Sequence, residues 1–456
     1  MSLPWQRDIH KFQMEGERFL VDANSGAVYQ IDQIVWDYFV LLEQYSQAKA
    51  KEKLLETYEF SQVEESLNEL KELEDRGYLF SSDQEIRKNA QQLQPGVLKS
   101  LCLHVAHDCN LRCQYCFAST GDYKGKREVM TQEVGLAAVD FLLTQSPKVD
   151  KYILDFFGGE PLLNFPVVKA VIEYAEDKSR NLNKSFKFSL TTNATLLNRE
   201  ITDYLNQHGV EVIISIDGPA KVHDSMRPFP SGKGSQQVVL AKTKEFLQSR
   251  EKQDYYIRGT FTGLHPYFAE YVEYLADQGF RNISMEPVVA LPEETYTLTE
   301  EHLPILKAEY EKLTRFYLDR KKTGNPIAFF HFETDIRKGP CLSRRIMGCG
   351  AGTEYLSISP SGEIYPCHQF VGRDGFMMGN VLEKNYSSRI GIILQENHIY
   401  RKKCADCWAR FYCSGGCHAN AHLINGDISV PYELNCVLEK KRLECAFYLQ
   451  AKLEDY

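Results

Sequence analysis

The chain has 456 residues, which is more than one hydrophobic core usually serves, so its length predicts two or three domains. Hydrophobic residues make up 43% of it, but no apolar run is long enough to cross a bilayer and no signal-peptide pattern is present, so we expect a cytoplasmic protein without a membrane partner. A formal net charge of −9 argues against nucleic acid as the main partner, because phosphates demand clustered Lys and Arg.

The first 90 residues read as a small separate domain. Two apolar stretches, Phe19–Val21 and Ala27–Tyr29, flank Asn24–Gly26, and Asn and Gly tolerate the positive φ of a tight hairpin turn. The pattern predicts a β-hairpin near the start of the chain.

Helical patterns follow this hairpin. Val63 and Leu70 share one apolar face, Gly77 suits a helix C-terminus, and Tyr78–Phe80 suits a short strand. Together with the hairpin they predict a winged-helix-like domain. Residues 91–96, rich in Gln and containing Pro, are expected to be a linker.

From about residue 98 to 295, apolar strand-like runs alternate with amphipathic helical segments. This alternation predicts an α/β fold in which a parallel sheet is wound with helices, as a partial barrel of six units. A charged helical segment at about 300–323, within a bridge at 296–335, leads into a Cys-rich region at 336–456. The predicted strands are Leu101–Val105, Tyr152–Phe157, Phe186–Leu190, Val212–Ile216, Tyr256–Phe261 and Ile283–Pro287.

Polar and Cys-rich segments follow four of these strands. Cys109–Cys116 comes after the first strand, Gly158–Pro161 after the second, Thr191–Asn193 after the third, and Ser215–Gly218 spans the end of the fourth. Chemistry gathers at the C-terminal strand ends of such architectures, so we expect one site there.

The cysteines indicate metal chemistry. Thirteen is an odd number in a chain without an export signal, which argues against a disulfide framework. Four cysteines lie between Cys102 and Cys116 and nine between Cys341 and Cys445, with none in the long stretch that separates the two groups. Two metal-bearing regions are therefore predicted.

The first region has the spacing Cys109-x3-Cys113-x2-Cys116. Three thiolates can bind three irons of a cubane cluster and leave the fourth iron open to a small chelating molecule. Tyr115 offers a ring for that molecule to pack against. The alternative is structural zinc, which needs a fourth ligand, and His104 or His107 would have to supply it.

The octapeptide Cys109-Asn110-Leu111-Arg112-Cys113-Gln114-Tyr115-Cys116 resembles the signature of the radical S-adenosylmethionine (SAM) superfamily. The resemblance implies that SAM binds the open iron and is cleaved by one electron to a 5′-deoxyadenosyl radical, which abstracts a substrate hydrogen. Gly158-Gly159-Glu160-Pro161 matches the family's second motif, whose backbone carbonyls and Glu accept hydrogen bonds from the methionyl ammonium, although such a sequence alone is a common turn.

The same resemblance extends to four polar residues further along the chain. Asn193, Ser215 and Asp217 fall where the family contacts the ribose and carboxylate of SAM, and Arg227 is placed to pair with the carboxylate. Ser215 and Asp217 are equally compatible with turn or helix-cap roles.

The C-terminal cysteines form a regular array, for which zinc ribbons are one interpretation. The array resembles the SPASM extension of radical SAM enzymes, which houses two auxiliary 4Fe-4S clusters, so three clusters are expected in all. The resemblance assigns Cys404, Cys407, Cys413 and Cys436 to a distal cluster and Cys349, Cys367 and Cys417 to a proximal one.

The fourth ligand of the proximal cluster is left open between Cys341 and a substrate thiolate. Relatives that mature sulfatases carry an acidic base directly after the second cysteine of the array, where this chain has His368. His368 is interpreted as a group that hydrogen-bonds near the cluster or as a base. Cys102 and Cys445 are expected to be buried free thiols.

The whole chain resembles the maturases of "six cysteines in forty-five residues" peptides. The likeness is carried by Ile9–Phe12, Val21–Ala27, Gly348–Gly352 and Tyr365–Phe370. It implies an enzyme that forms thioether links from Cys sulfur to carbon in a Cys-rich precursor peptide, with a low-potential electron donor as a further partner.

The first 90 residues would then bind the leader of that peptide, by adding a strand of the leader to the edge of the sheet. Two other functions remain open: formylglycine formation, and DNA binding by an iron-sulfur regulator. Residues 1–95 contain 10 Lys and Arg against 18 Asp and Glu, a net charge of 10 − 18 = −8, which argues against DNA binding.

Overall fold

A three-stranded antiparallel sheet and four helices open the computed structural model, which describes residues 4–92, 96–250, 254–333, 346, 348–394 and 402–454. The strands lie in the order β1-β2-β3, and the predicted hairpin is confirmed, with the Gly26 amide donating to the Asp22 carbonyl across its turn. The elements are β1 (Ile9–Met14), β2 (Glu17–Asp22), β3 (Val28–Ile31), α1 (Gln33–Leu41), α2 (Gln47–Leu54), α3 (Phe60–Asp75) and α4 (Gln84–Gln92).

Strand β2 is buried on both of its faces. Successive side chains of a strand point to opposite sides of the sheet, so its side chains enter two different cores. Leu20 packs with Phe39 among the first helices, while Phe19 and Val21 join the main core of the chain. The ring of Phe19 meets Tyr448 near the C-terminus with 5.8 Å between centroids. The N-terminal sheet is thus packed between its own helices and the C-terminal region.

The predicted strand at Tyr78–Phe80 is wrong. The amides of Tyr78 and Leu79 both donate to the Leu73 carbonyl, so these residues close the C-terminus of α3 and do not pair with a strand. Gly77 has the left-handed φ of +73° expected at a helix end.

Part of the predicted linker is helical, because residues 91 and 92 belong to α4, and residues 93–95 lie outside the described part of the chain. In α4, Ala90 packs against Ile346 and Phe411 of the Cys-rich region.

All six predicted strands of the α/β segment are confirmed. They lie side by side in chain order and pair in parallel throughout. They are β4 (Ser100–Ala106), β5 (Lys151–Gly158), β6 (Ser185–Thr192), β7 (Glu211–Ser215), β8 (Tyr255–Phe261) and β9 (Asn282–Pro287). The helices between them are α5 (Gln132–Gln145), α6 (Phe165–Leu182), α7 (Arg199–Gln207), α8 (Ala220–Met226), α9 (Gln236–Gln248) and α10 (Phe268–Asp277).

The Cys-rich region extends this sheet on the side of β4. Strand β11 pairs in parallel with β4, with Tyr355 opposite Ser100 and Ile358 opposite Leu103. Every residue of β4 is buried, so its outer amides and carbonyls need partners, and β11 supplies them. The strands added on this side are β11 (Tyr355–Ile358), β12 (Glu363–Tyr365) and β13 (Gly379–Asn380), and β10 (Ala328–Phe329) pairs with β9 at the opposite edge of the sheet.

Helices complete the described C-terminal part. The predicted charged segment is confirmed as a short 3-10 turn at Glu300–His302 followed by the first of these helices. In the described ranges no helix has the combined length and apolarity that a membrane crossing requires. The helices are α11 (Leu303–Lys322), α12 (Arg389–Leu394), α13 (Lys402–Ala405), α14 (Arg410–Cys413), α15 (His418–Asn425) and α16 (Glu433–Glu454).

Candidate functional site

The loop that carries the first three cysteines is held by backbone hydrogen bonds on two sides. From the end of β5, the Glu160 amide donates to the Asp108 carbonyl over 2.9 Å. From the other side, the amides of Arg112 and Gln114 donate to the carbonyls of Pro228 and Met226, each over 2.8 Å. The loop is therefore fixed between the second strand end and the segment after α8.

Two glycines allow the close approach at the end of β5. A Cβ on Gly158 would lie 2.2 Å from the Ala106 carbonyl oxygen, and one on Gly159 would lie 2.1 Å from that of Asp108. Gly158 also has a φ of +127°, which L side chains rarely adopt. Both glycines are thus required for the contact between this turn and the cysteine loop.

The thiols of Cys113 and Cys116 lie near enough to Cys109 to influence its ionisation. Burial raises the pKa of Cys109 to about 12, and the charges of Glu160, Cys113 and Cys116 contribute further. Burial also raises the pKa of Cys113 to about 11, although Arg227 opposes it. Such thiols remain protonated until a metal binds, and a coordinating metal deprotonates them.

A single zinc ion at the first site would need His104 or His107 as its fourth ligand. The two histidine rings lie next to each other, with 3.1 Å between His104 Nδ1 and His107 Nε2. Within the part of the chain that the structure describes, no three His, Cys, Asp or Glu side chains are arranged to hold one metal ion. The three cysteines match the number of thiolates that a cubane cluster with one open iron requires.

Asp217 and Arg227 form a buried ion pair beside this loop. Arg227 Nε donates to Asp217 Oδ1 over 3.0 Å, and the Tyr115 hydroxyl donates to Asp217 Oδ2 over 2.6 Å. Asp217 is fully buried and also accepts from the Thr260 amide. Arg227 Nη1 lies 4.0 Å from Cys113 Sγ. Asp217, Arg227 and Tyr115, the three side chains expected near SAM, are hydrogen-bonded to one another in the structure.

Glu160 and Asn193 link the ends of β5 and β6. The Glu160 carboxylate is fully buried and accepts from the amides of Leu162 and Asn193 and from the Thr192 hydroxyl. Burial raises the pKa of Glu160 to about 7, against the effect of these three donors. Asn193 Nδ2 in turn lies 3.7 Å from Cys109 Sγ.

Ser215 is the half-buried last residue of β7 and lies opposite Arg258 in β8. The end of that strand is therefore adjacent to the Asp217 pair.

Four C-terminal cysteines surround one cavity of about 320 Å³. They are the four cysteines expected to share the distal cluster: Cys404, Cys407, Cys413 and Cys436. Burial raises the pKa of Cys436 to about 11, and the charges of Glu433, Cys404 and Cys407 add to that effect. Four thiols that line one cavity suit a fully ligated cubane cluster.

A second group contains Cys349, Cys367 and Cys417. Burial raises the pKa of Cys367 to about 12, with further contributions from the charges of Cys417 and Cys349. Gln369 Nε2 lies 3.8 Å from Cys417 Sγ and donates to it. Cys341, the candidate fourth ligand, lies outside the described residues.

The first site borders a cavity of about 620 Å³. Cys113, Tyr115 and Cys116 line it together with Gln369 and Arg373. Because Gln369 also contacts Cys417, this cavity reaches from the first cysteine loop to the neighbourhood of the second group.

His368 lies in a buried aromatic cluster beside that cavity. Its Nδ1 is 3.1 Å from the Tyr355 hydroxyl, and its ring packs against Phe117 and Phe157. Burial lowers the pKa of His368 to about 4, so the ring is neutral. Cys102 and Cys445 are buried, as predicted.

Sequence reasoning missed several residues of these sites. Gln369 stands two positions after Cys367 in the Tyr365–Phe370 motif, so its position pointed to the proximal group, but nothing in the pattern identified a donor to sulfur. Arg410 and His223 gave no signal, because only the fold reveals their partners.

Comparison with known proteins identifies the core of the chain. Residues 103–295 match the model of the Radical SAM superfamily. The uncharacterized protein MJ0907 of Methanocaldococcus jannaschii is 30% identical over 290 residues, which cover 63% of this chain and 90% of that protein. The cysteine-type anaerobic sulfatase-maturating enzyme of Clostridium novyi is 25% identical over 345 residues, covering 71% of this chain and 89% of the enzyme.

A solved structure is similar over nearly the whole chain. Streptococcus suis SuiB, bound to precursor peptide SuiA, superposes with a TM-score of 0.53 at 14% identity, covering 93% of this chain and 97% of SuiB. At that identity the similarity concerns the fold alone.

Proposed function

Because this chain belongs to the Radical SAM superfamily, whose members use SAM and a 4Fe-4S cluster, we propose that it is a peptide maturase that forms Cys sulfur-to-carbon thioether links. The proposed architecture is a partial (β/α)6 barrel at 98–295 with an N-terminal recognition domain at 1–90. A helical bridge at 296–335 leads to a SPASM domain at 336–456. The substrate is a ribosomally made Cys-rich precursor peptide, and a low-potential donor supplies electrons.

The shared cavity carries the proposal. Cys113, Cys116 and Gln369 all line it, and Gln369 contacts Cys417. A substrate carbon activated at the first site would therefore lie in the same space as a thiolate near the proximal group. Sulfur-to-carbon bond formation needs these two partners held close together and oriented.

The residues of the first site fit a cluster with SAM. Bound there, the two groups supply a 5′-deoxyadenosyl radical that takes a hydrogen atom from the acceptor carbon. In the proposal, Cys109, Cys113 and Cys116 hold three irons. The Gly158–Glu160 turn, Asn193 and Ser215 line the SAM site, and Asp217 orients Arg227 and Tyr115 beside it.

The proximal group fits a thiolate site for the peptide. Cys349 is exposed in the structure, so a peptide thiol can approach it. Attack of the peptide thiolate on the acceptor radical would form the C–S bond and release one electron, and the thiol proton would go to solvent. A proximal cluster held by Cys349, Cys367 and Cys417 would supply the acceptor for that electron. Either Cys341 or the peptide thiolate completes the shell of that cluster.

The N-terminal sheet offers an edge for the leader of the peptide. Both faces of β2 are covered, and β3 is an outer strand of four residues, none of which is fully buried. An extended leader adding to β3 would gain main-chain hydrogen bonds there. The fold similarity to SuiB, which was solved with a precursor peptide bound, supports a peptide as the partner.

Formylglycine formation is the alternative enzyme function, supported by the similarity to a sulfatase-maturating enzyme. The geometry favours it less, because His368 occupies the position of the acidic base and is bonded to the Tyr355 hydroxyl. DNA binding by an iron-sulfur regulator is favoured least, because residues 1–95 carry a net charge of 10 − 18 = −8.

The test is an anaerobic assay with a Cys-rich precursor peptide, SAM and a chemical reductant. A thioether product is lighter by two hydrogen atoms per link, retains all its sulfur and loses one alkylatable thiol per link. Formylglycine made from Cys loses sulfur, and formylglycine made from Ser keeps every thiol and reacts with a hydrazide. The triple variant with Cys109, Cys113 and Cys116 changed to Ala is the control. Unmodified peptide in an assay that cleaves SAM would contradict the proposal.

A further inference from the structure

The segment between Cys407 and Cys413, two residues of the distal group, is attached to the N-terminal domain. Three of its five intervening side chains make these contacts: Trp408, Arg410 and Tyr412. Trp408 contacts His10, Arg410 contacts Asp8 and Asn24, and Tyr412 contacts Gly26, so the segment is attached to the N-terminal domain at three points.

Arg410 makes the central contact. It is 1% exposed and is among the residues that line the distal cavity. Its Nη1 donates to the Arg7 carbonyl over 2.9 Å and to the Cys407 carbonyl over 3.0 Å. Its Nη2 donates to Asp8 Oδ1 over 2.6 Å and to the Asn24 side-chain oxygen. One guanidinium thus ties the backbone of a cysteine to two loops of the N-terminal domain.

Two carboxylates of the N-terminal domain balance the positive charge of Arg410. Asp8 pairs with it directly, and Asp83 Oδ2 lies 3.8 Å from its Nη2. A buried guanidinium needs such partners, because leaving it unpaired in the interior is costly. The carboxylates of Asp8 and Asp83 therefore stabilise the Arg410 guanidinium in its buried position.

Two aromatic side chains, Trp408 and Tyr412, make further contacts between this segment and the N-terminal domain. The rings of His10 and Trp408 stack with 3.9 Å between centroids and 5° between planes. His10 Nε2 also lies 3.0 Å from Glu444 Oε1 of α16, the helix that contains Cys436. The Tyr412 hydroxyl donates to the Gly26 carbonyl over 3.4 Å, in the turn between β2 and β3.

We propose that the N-terminal domain is a structural part of the distal cluster site: Asp8 and Asn24 hold Arg410, and Arg410 positions the segment from Cys407 to Cys413 for metal binding. Arg410 is a positioning residue, since it acts through the backbone of the cysteine segment. The proposal rests on the assignment of a distal cluster in the proposed function, but not on thioether formation.

The test measures iron and sulfide per chain, and the distal cluster's EPR signal and midpoint potential, after anaerobic reconstitution of the full chain. Arg410→Gln should lose about four irons, those of one cubane, and keep SAM cleavage at the first site. Arg410→Lys, which retains the charge but not the planar fork, should restore part of the iron and shift the potential of the distal cluster.

Arg315→Gln is the matched control. Arg315 Nη1 contacts Glu15 Oε1 over 2.7 Å, so this variant breaks an ion pair between the N-terminal domain and α11 that is not part of either cysteine group. It should keep wild-type iron content and the wild-type distal signal. Equal iron loss in both Arg variants would overturn the proposal, because general domain attachment would then explain it.

Full iron with an unchanged distal signal in Arg410→Gln would also overturn the proposal. If that variant does not fold, Asn24→Ala decides, because it removes an acceptor of Arg410, together with the hydrogen bond from Asn24 to the Ser81 carbonyl, without changing a charge. It should shift the distal signal and leave the first site intact, and an unchanged signal would overturn the proposal. Since none of these measurements uses a peptide, their failure is distinguishable from failure of the proposed thioether chemistry.

Discussion

Asp217 and Arg227 form an ion pair beside Cys113, with 3.0 Å between Asp217 Oδ1 and Arg227 Nε. Asp217 lies two residues after β7 and Arg227 follows α8, so the pair joins the fourth strand end to the segment that holds the cysteine loop. The Tyr115 hydroxyl, from within that loop, donates to the same carboxylate. This pair fixes the position of the loop in the fold.

Removal of the Asp217 charge should therefore destabilise the protein strongly. Asp217→Asn leaves the Arg227 guanidinium without its counter-ion, and breaking a buried pair in this way costs about 3–5 kcal/mol. Tyr115→Phe removes only a hydroxyl and should cost about 1 kcal/mol. Thermal unfolding of both variants is the measurement, and equal losses in the two would contradict this role of the pair.

The Gly159 contact predicts a large effect from one methyl group. In Gly159→Ala the new Cβ meets the Asp108 carbonyl oxygen at 2.1 Å, so we expect a loss of about 3 kcal/mol or more, at the upper end of overpacking. Gly209→Ala is the control: its φ is +59° but a Cβ there meets nothing within 4 Å. It should lose only about 1–2 kcal/mol from backbone strain. A Gly159→Ala variant as stable as Gly209→Ala would show that the turn can move away from the cysteine loop.

His223 should make the protein sensitive to acid. Its ring is fully buried, with Nδ1 accepting from the Asp217 amide and Nε2 beside the Ser235 hydroxyl. Burial lowers its pKa from 6.5 to about 4. Because the folded-state pKa is depressed, the unfolded chain binds more protons between these values, so stability is full above pH 6.5 and falls as pH drops toward 4, by up to about 3 kcal/mol.

His223→Asn keeps an acceptor near the Nδ1 position and cannot titrate. We expect wild type to be the more stable protein at pH about 7.5 and its advantage to shrink at pH about 5. Denaturant unfolding of the two chains at both values measures this. An advantage that is the same at both pH values would contradict the neutral, buried state of His223.

Two hydrogen bonds to sulfur should tune two different clusters. Gln369 Nε2 donates to Cys417 Sγ and Asn193 Nδ2 donates to Cys109 Sγ, over 3.8 and 3.7 Å. Donors to cluster sulfurs stabilise the reduced state, so their loss lowers the reduction potential. Gln369→Leu should lower the potential of the proximal cluster only, and Asn193→Ala that of the first cluster only, in EPR-monitored titrations. A shift in the wrong cluster would contradict the assignment of the cysteine groups.

Local sequence patterns predicted those strands and helices whose structure is determined by their own residues. The six parallel strands were apolar runs of sufficient length between helical segments, and the structure confirms each of them. Tyr78–Phe80 has a strand-like composition, yet the amides of Tyr78 and Leu79 close the end of α3, because the last carbonyls of a helix need hydrogen-bond donors. The sequence did not predict the pairing of β11 with β4, because β11 is a strand of only four residues.

The grouping of the cysteines was predictable, but their surroundings were not. The resemblance to the SPASM extension grouped Cys404, Cys407, Cys413 and Cys436, and all four line one cavity. The partners of Arg410 lie about four hundred positions away in the chain, at Asp8 and Asn24. Contacts over such separations depend on the packing of whole domains, which no local pattern encodes.

Iron and sulfide per chain after anaerobic reconstitution test the central claim most directly, measured on wild type and on the variant with Cys109, Cys113 and Cys116 changed to Ala. Three cubane clusters predict about twelve irons in wild type and about eight in the variant, because each cluster carries four. That result would assign one cluster to the first loop and two to the C-terminal array. Zinc with little iron, or equal iron in the two proteins, would contradict the account.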